Sequence, residues 1–122
     1  MAFNWFKKKD KLNEKEQIKP DYNDIDSTDK AIALYQKKQL AKLYLMPLEF
    51  GGVDNPMNIL YVPEHVVFLK SRFDTIIEDL LVQGKKLNYS ANPVYKGKSF
   101  VPSSLTIVVK GDSDFTEIIQ IW

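Results

Sequence analysis

The sequence predicts an α+β fold, a small antiparallel or mixed sheet with a C-terminal β-hairpin and two main helices. Three stretches carry that reading. "SRFDTIIEDLLVQG" places Phe73, Ile76, Ile77, Leu80 and Leu81 at three- and four-residue spacing, the period of a helix with one buried face. "DKAIALYQKKQLAKLYL" shows the same period through Ile32, Tyr35, Gln39 or Leu40, and Leu43, with Lys37, Lys38 and Lys42 mainly on the other side. "SSLTIVVKGDSDFTEIIQIW" alternates side chains on both flanks of a Gly-Asp turn, as a hairpin does. With 122 residues, 44% hydrophobic and 27% charged content, the chain supports one domain around one modest core.

In chain order, Met1 to Pro20 holds six lysines against Asp10, Glu14 and Glu16, and Asp21 to Lys30 holds four aspartates against one lysine. Residues 1–26 therefore read as a charged leader, expected to be mobile, before a single α+β domain over 27–122. Phe3, Trp5 and Phe6 precede a lysine run as an interfacial anchor would, although an untethered terminus is the plainer expectation; Ala2 excludes myristoylation. Ser27 or Thr28 caps a first helix over about 28–41, which passes into an extended "KLYLM" ended by Pro47. "MNILYVP" is a short strand ended by Pro63. Ser71 followed by Asp74 resembles a capping box and starts the second helix, over 71–83, which Gly84 stops; whether "EHVVFLK" extends that helix backwards is left open. "LNYSANPVYKGKSF" reads as a short strand and a loop. In the final hairpin the second strand is apolar on much of both faces, which predicts an interior position in the sheet.

The inventory of reactive groups is thin. There is no cysteine, which excludes disulfides, thiolate metal sites and thiol nucleophiles and suits a reducing cytoplasm. His65 is the sole histidine, so no Ser-His-Asp or Cys-His arrangement forms without it, and zinc would lack ligands. Neither "DYNDIDSTD" nor "GDSDFTE" has the ligand spacing of a calcium loop. The expectation is a non-enzyme without metal or cofactor. A net charge of +1 predicts neither nucleic-acid nor membrane binding, and no run of about 18 apolar residues spans a bilayer. With no secretory signal pattern, the cytoplasm is the expected compartment.

Two stretches invite a function. "PLEFGGVDNPMN" concentrates glycines, prolines, asparagines and acids, but a phosphate loop needs glycines at set spacing before a helix, and Asp54 would repel the anion. It reads as a built turn: Gly51 and Gly52 supply unusual backbone angles, Asp54-Asn55-Pro56 opens a second turn, Asn58 ties its side chain to nearby backbone, and Phe50 and Met57 fix the ends to the core. "NYSANPVYKGKSFVP" mixes Tyr89, Tyr95 and Phe100 with Lys96 and Lys98, a composition favoured at protein contacts. Candidate partner-binding residues are Asp54, Asn55, Tyr89, Tyr95, Lys96 and Lys98, with Asp112 and Asp114 of the hairpin turn.

The phrase "LEFGG…NPMN" is similar to a segment of histidine-dependent nuclease domains of bacterial polymorphic toxins. No histidine cluster flanks it here, so that activity is not carried over. In size, in the lysine-rich leader, in "MPLEFGGVDNPMNILYVP" and in the terminal hairpin, the chain resembles small bacterial immunity proteins of polymorphic or contact-dependent toxin systems. The resemblance implies an inhibitor that binds a cognate toxin domain and occludes its active site. The alternative from the residues is a small self-associating structural or regulatory module, pairing through an exposed sheet edge. The chain is then a monomer or a homodimer.

Overall fold

The structure, a computed structural model, describes residues 21–122. The fold is α+β: two helices and two small antiparallel sheets, of two and three strands, among the described residues. Residues 1–20 of the expected leader lie outside the described residues. Its last six do not stand apart from the domain, because Tyr22 and Ile25 pack on the core and the Tyr22 ring meets Trp122 edge-on at 5.6 Å.

Helix α1 (Thr28–Gln36) begins where Ser27 Oγ accepts a hydrogen bond from the Lys30 amide. It ends five residues earlier than the periodicity predicts. Lys38 takes a left-handed φ of +64°, and the Lys38 and Gln39 amides donate back to Tyr35 and Leu34, a helix-closing pair of bonds made without a glycine. Strand β1 (Ala41–Tyr44) then pairs with β2 (Ile59–Val62), Ala41 opposite Val62 and Tyr44 opposite Ile59.

Two 3₁₀ turns, Leu48–Phe50 and Pro56–Asn58, fold the connection between these strands. Asn58 staples it: Oδ1 accepts from the Met46 amide at 2.8 Å, and Nδ2 donates to the carbonyls of Met46 and Val53 at 3.0 and 2.9 Å. The two glycines have different reasons. Gly51 sits at φ +98°, whereas Gly52 is needed because any Cβ there would collide with the Met46 carbonyl. Phe50 is half-buried against Tyr89, but Met57 projects into solvent at 89% exposure and anchors nothing.

Helix α2 (Glu64–Val82) includes "EHVVFLK" and starts directly after Pro63, so the capping box does not form. Ser71 lies mid-helix with its hydroxyl donating to the Phe68 carbonyl. Gly84 supplies the stop, with φ +88°. The second sheet runs β3 (Leu87–Val94), β4 (Ser104–Gly111), β5 (Phe115–Gln120), with β4 central. β3 is a full eight-residue strand rather than a short one. β5 is an edge strand, not an interior one, and Ile118 on its outer face is 58% exposed. The apolar residues on both of its faces reflect an uncovered sheet surface.

One core joins the two sheets and α2: Leu43, Leu60, Val62, Val66, Val101, Leu105, Ile107, Ile119 and Ile121 are buried together. Asn58→Ala leaves three backbone groups without partners and is expected to lower stability by about 1–3 kcal/mol, read as a lower urea midpoint at unchanged slope.

Candidate functional site

An aromatic-lined cleft of about 270 Å³ lies between α1 and β2. Thr28, Ala31 and Ile32 of α1 form one wall, Ile59, Leu60 and Tyr61 of β2 the floor, and Pro56, Tyr95 and Phe100 the rim. Ala31 is small and fully buried, which lets α1 approach β2. The loop bearing Tyr95 and Phe100 is held by its backbone: the Phe100 amide donates to the Ile25 carbonyl at 2.7 Å, and the Val101 amide to the Oγ of buried Ser99 at 2.9 Å. Tyr95 and Phe100 nevertheless remain 46% and 49% exposed. Partial burial raises the Tyr95 phenol pKa, so its ring presents a neutral hydroxyl at ordinary pH.

The structure brings some of the sequence-selected residues to this cleft and leaves others elsewhere. Tyr95 lines it, and Asp54 and Asn55 lie just before its rim residue Pro56. Asn55 caps the second 3₁₀ turn by accepting from the Met57 amide, while Asp54 accepts from the Tyr44 hydroxyl at 3.2 Å. Lys96 lies with its Nζ 4.3 Å above the Trp122 ring, and Lys98 sits on the adjoining face with Asn23, Asp24, Asp26 and Lys30. Asp112 and Asp114 are at the opposite end of the three-stranded sheet, an eight-residue strand or about 25 Å away. There they build the turn, Asp112 accepting from the Lys86 amide and Asp114 from the Gly111 amide.

Tyr89 faces inward and belongs to a second polar centre that sequence reading missed. Lys70 occupies a core position of α2 at 2% exposure, its Nζ 2.8 Å from Asp74 Oδ2 and 5.5 Å from the Tyr89 ring centre. The Tyr89 hydroxyl has two acceptors, the Leu45 carbonyl at 3.0 Å and Asp74 Oδ1 at 3.4 Å. Burial lowers the Lys70 pKa, against the pull of Asp74, and burial with the nearby Asp74 charge pushes the Tyr89 phenol far up. A hollow of about 150 Å³ reaches this group past Tyr44, Glu49 and Lys42. The lysine, however, is committed to its carboxylate, and both acids would repel an anion. The only sequence signal for this centre was the i,i+4 spacing of Lys70 and Asp74 on an otherwise apolar stripe.

His65 is exposed in the first turn of α2, and Asp74, a conceivable acid–base partner for it, is engaged by Lys70. Among the described residues no three His, Cys, Asp or Glu side chains are grouped to hold a metal ion, and no helix is long and apolar enough to cross a membrane. No protein-family model, curated protein or solved structure matches the chain.

Asp74→Leu strands a buried ammonium and is expected to cost about 3–5 kcal/mol at neutral pH, more than Lys70→Met, because Asp74 keeps 19% side-chain exposure and Lys70 only 3%. The double variant recovers most of the loss. The Asp74→Leu deficit shrinks as pH rises toward 10, since the stranded lysine can shed its proton; urea titrations at several pH values read this. Tyr89 has the opposite sign. Its phenol stays protonated in the folded chain after unfolded tyrosine begins to ionise near pH 10, so stability present below about pH 10 is lost above it. Tyr89→Phe is expected to flatten that alkaline decline, measured as midpoint against pH.

Proposed function

We propose that this chain is a non-catalytic binding protein that captures a protein partner on the Tyr95–Phe100 cleft, as an immunity-type inhibitor occluding the active site of a bacterial toxin domain. The observation that carries the reading is one apolar cleft at which Tyr95 and Phe100, from the stretch with the composition of a contact surface, meet Pro56 of the built turn. Aromatics held half-exposed by a hydrogen-bonded loop are the type of residue that dominates binding energy at interfaces. Their fixed placement lowers the ordering cost of association.

The self-associating alternative has less support. The bond from the Asp112 amide to the Lys86 carbonyl sets the ladder's alternation so that Pro93 falls where its nitrogen faces the free edge of β3, which therefore lacks a donor. At the other edge the exposed Glu117, opposite Ile107, places a charge on β5 that discourages strand addition.

Affinity capture from a lysate of the source organism tests the proposal. Wild type is expected to retain one stoichiometric partner carrying a toxin-like domain. Tyr95→Ala with Phe100→Ala is expected to weaken that capture at least about tenfold, as loss of two interface anchors does, while Asp114→Asn at the far turn leaves it intact. Equal capture by the double variant would remove the cleft from the interface.

A further inference from the structure

We propose that the outer face of α2 is the contact surface of a homodimer, in which two copies of the helix lie antiparallel across a two-fold axis near Ile76. This pairing bypasses both edges of the three-stranded sheet. It does not rest on the capture reading, since no residue lining the cleft belongs to α2.

The helix period sets the surface. Val66, Lys70, Phe73 and Ile77 turn one side of α2 to the core, which leaves Phe68, Arg72, Thr75, Asp79 and Val82 along the opposite side. Their alternating four- and three-residue spacing is that of a seam along which two helices pack. Phe68 is 64% and Val82 82% exposed, and Ile76 on the flank of the stripe is 48% exposed. Phenylalanine, isoleucine and valine are among the residues most often buried, and three of them exposed along one helix make a patch rather than scattered single side chains.

The hydroxyls on this side are already satisfied. Thr75, at the middle of the stripe, donates to the Ser71 carbonyl at 2.9 Å, and the neighbouring Ser71 donates to the Phe68 carbonyl at 2.8 Å. Covering them strands no hydroxyl donor. Arg72 and Asp79 differ: both are exposed, and neither makes an ion pair among the described residues.

Those two charges select the occupant. They lie on one flank of the stripe, about two turns apart, with Ile76 between them. An antiparallel second copy sets Arg72 across from the partner subunit's Asp79, and Asp79 across from the partner subunit's Arg72. The same operation lays Phe68 beside the partner subunit's Val82 and brings Ile76 to the partner subunit's Ile76 at the axis. The patch is thus complementary to itself, as a two-fold contact requires. A parallel pair would set arginine against arginine and aspartate against aspartate, so the charges also fix the direction. Glu78 lies on the other flank, where the antiparallel register brings no like charge to it. The helix has 19 residues, so the strip is about 28 Å long and about 10 Å wide, short of the roughly 800 Å² per partner of a standard stable complex. The dimer is therefore a weak one, exchanging with monomer at micromolar concentration, and each copy keeps its own cleft.

Sedimentation equilibrium on the full-length protein, from micromolar to millimolar concentration, tests this. Wild type is expected to pass from the mass of one chain to that of two. Arg72→Asp and Asp79→Arg each set like charges across the axis twice, and each is expected to weaken self-association at least about tenfold. Mixed together, the two variants are expected to pair with each other about as tightly as wild type, because every facing pair is again opposite in sign. Both substitutions are on the surface, and a urea midpoint close to that of wild type shows each variant folded. A wild type that keeps the mass of one chain at millimolar concentration overturns the proposal and leaves the face to another occupant. Single variants that associate as wild type does place the contact elsewhere, and a mixture that fails to pair rejects the antiparallel register; either result overturns the proposal. No external partner is used, so failure here leaves the capture reading standing, and failure of capture leaves this result standing.

Discussion

Lys70 stands where the period of α2 calls for a hydrophobe, and the way its charge is satisfied ties the domain together. A buried ammonium is tolerated only with a carboxylate close by and further polar contact. Asp74, one turn along, supplies the carboxylate, and the Tyr89 ring closes over the pair. The Tyr89 hydroxyl then reaches the Leu45 carbonyl just beyond β1. One cluster thus connects the helix, the three-stranded sheet through β3, and the two-stranded sheet through β1. It fixes the rotation of α2 about its axis, since a turn in either direction would carry Lys70 and Asp74 together away from the Tyr89 ring and hydroxyl.

The cleft depends on that arrangement indirectly. With β1 and β2 seated on the shared core, the connection between them is bound by Asn58 and Asn55, and Pro56 is delivered to the rim. The facing loop is set by Ser99 and by the backbone bond from Phe100 to Ile25. Both rims are therefore built from hydrogen-bonded backbone. Exposed aromatics on such a frame lose little freedom on binding, which suits recognition.

The sequence readings that went astray share a cause. α1 stops at a lysine in the left-handed region, a position that ordinarily signals itself by a glycine. α2 starts at Pro63 with no side-chain cap, so the Ser71-Asp74 spacing imitated a beginning inside the helix. Asp74 was read as a cap partner, whereas it is the counter-ion of Lys70. β5 looked interior because Ile118 and Ile119 give it apolar residues on both faces, but strand order is set by which strands pair, and β4 took the centre. Of the candidate site, Tyr95 was legible from composition alone. Its neighbours Ile32, Tyr61 and Pro56 were not, because each looks like ordinary core or turn until the chain brings them together.

By itself the sequence determined the class of fold, the existence of both helices, the final hairpin, the Asn58-stapled turn and the absence of a cysteine or a histidine cluster. These follow from local periodicity, turn chemistry and inventory, which act over a few residues. Only the tertiary structure decided that there are two sheets joined by one core, that Lys70 is buried, that Tyr89 points inward, and that Pro56, Tyr95 and Phe100 share a cleft while Asp112 and Asp114 stand far from it. Those outcomes depend on contacts between residues distant along the chain, and the free energy of burying one surface against another leaves no local mark on either partner.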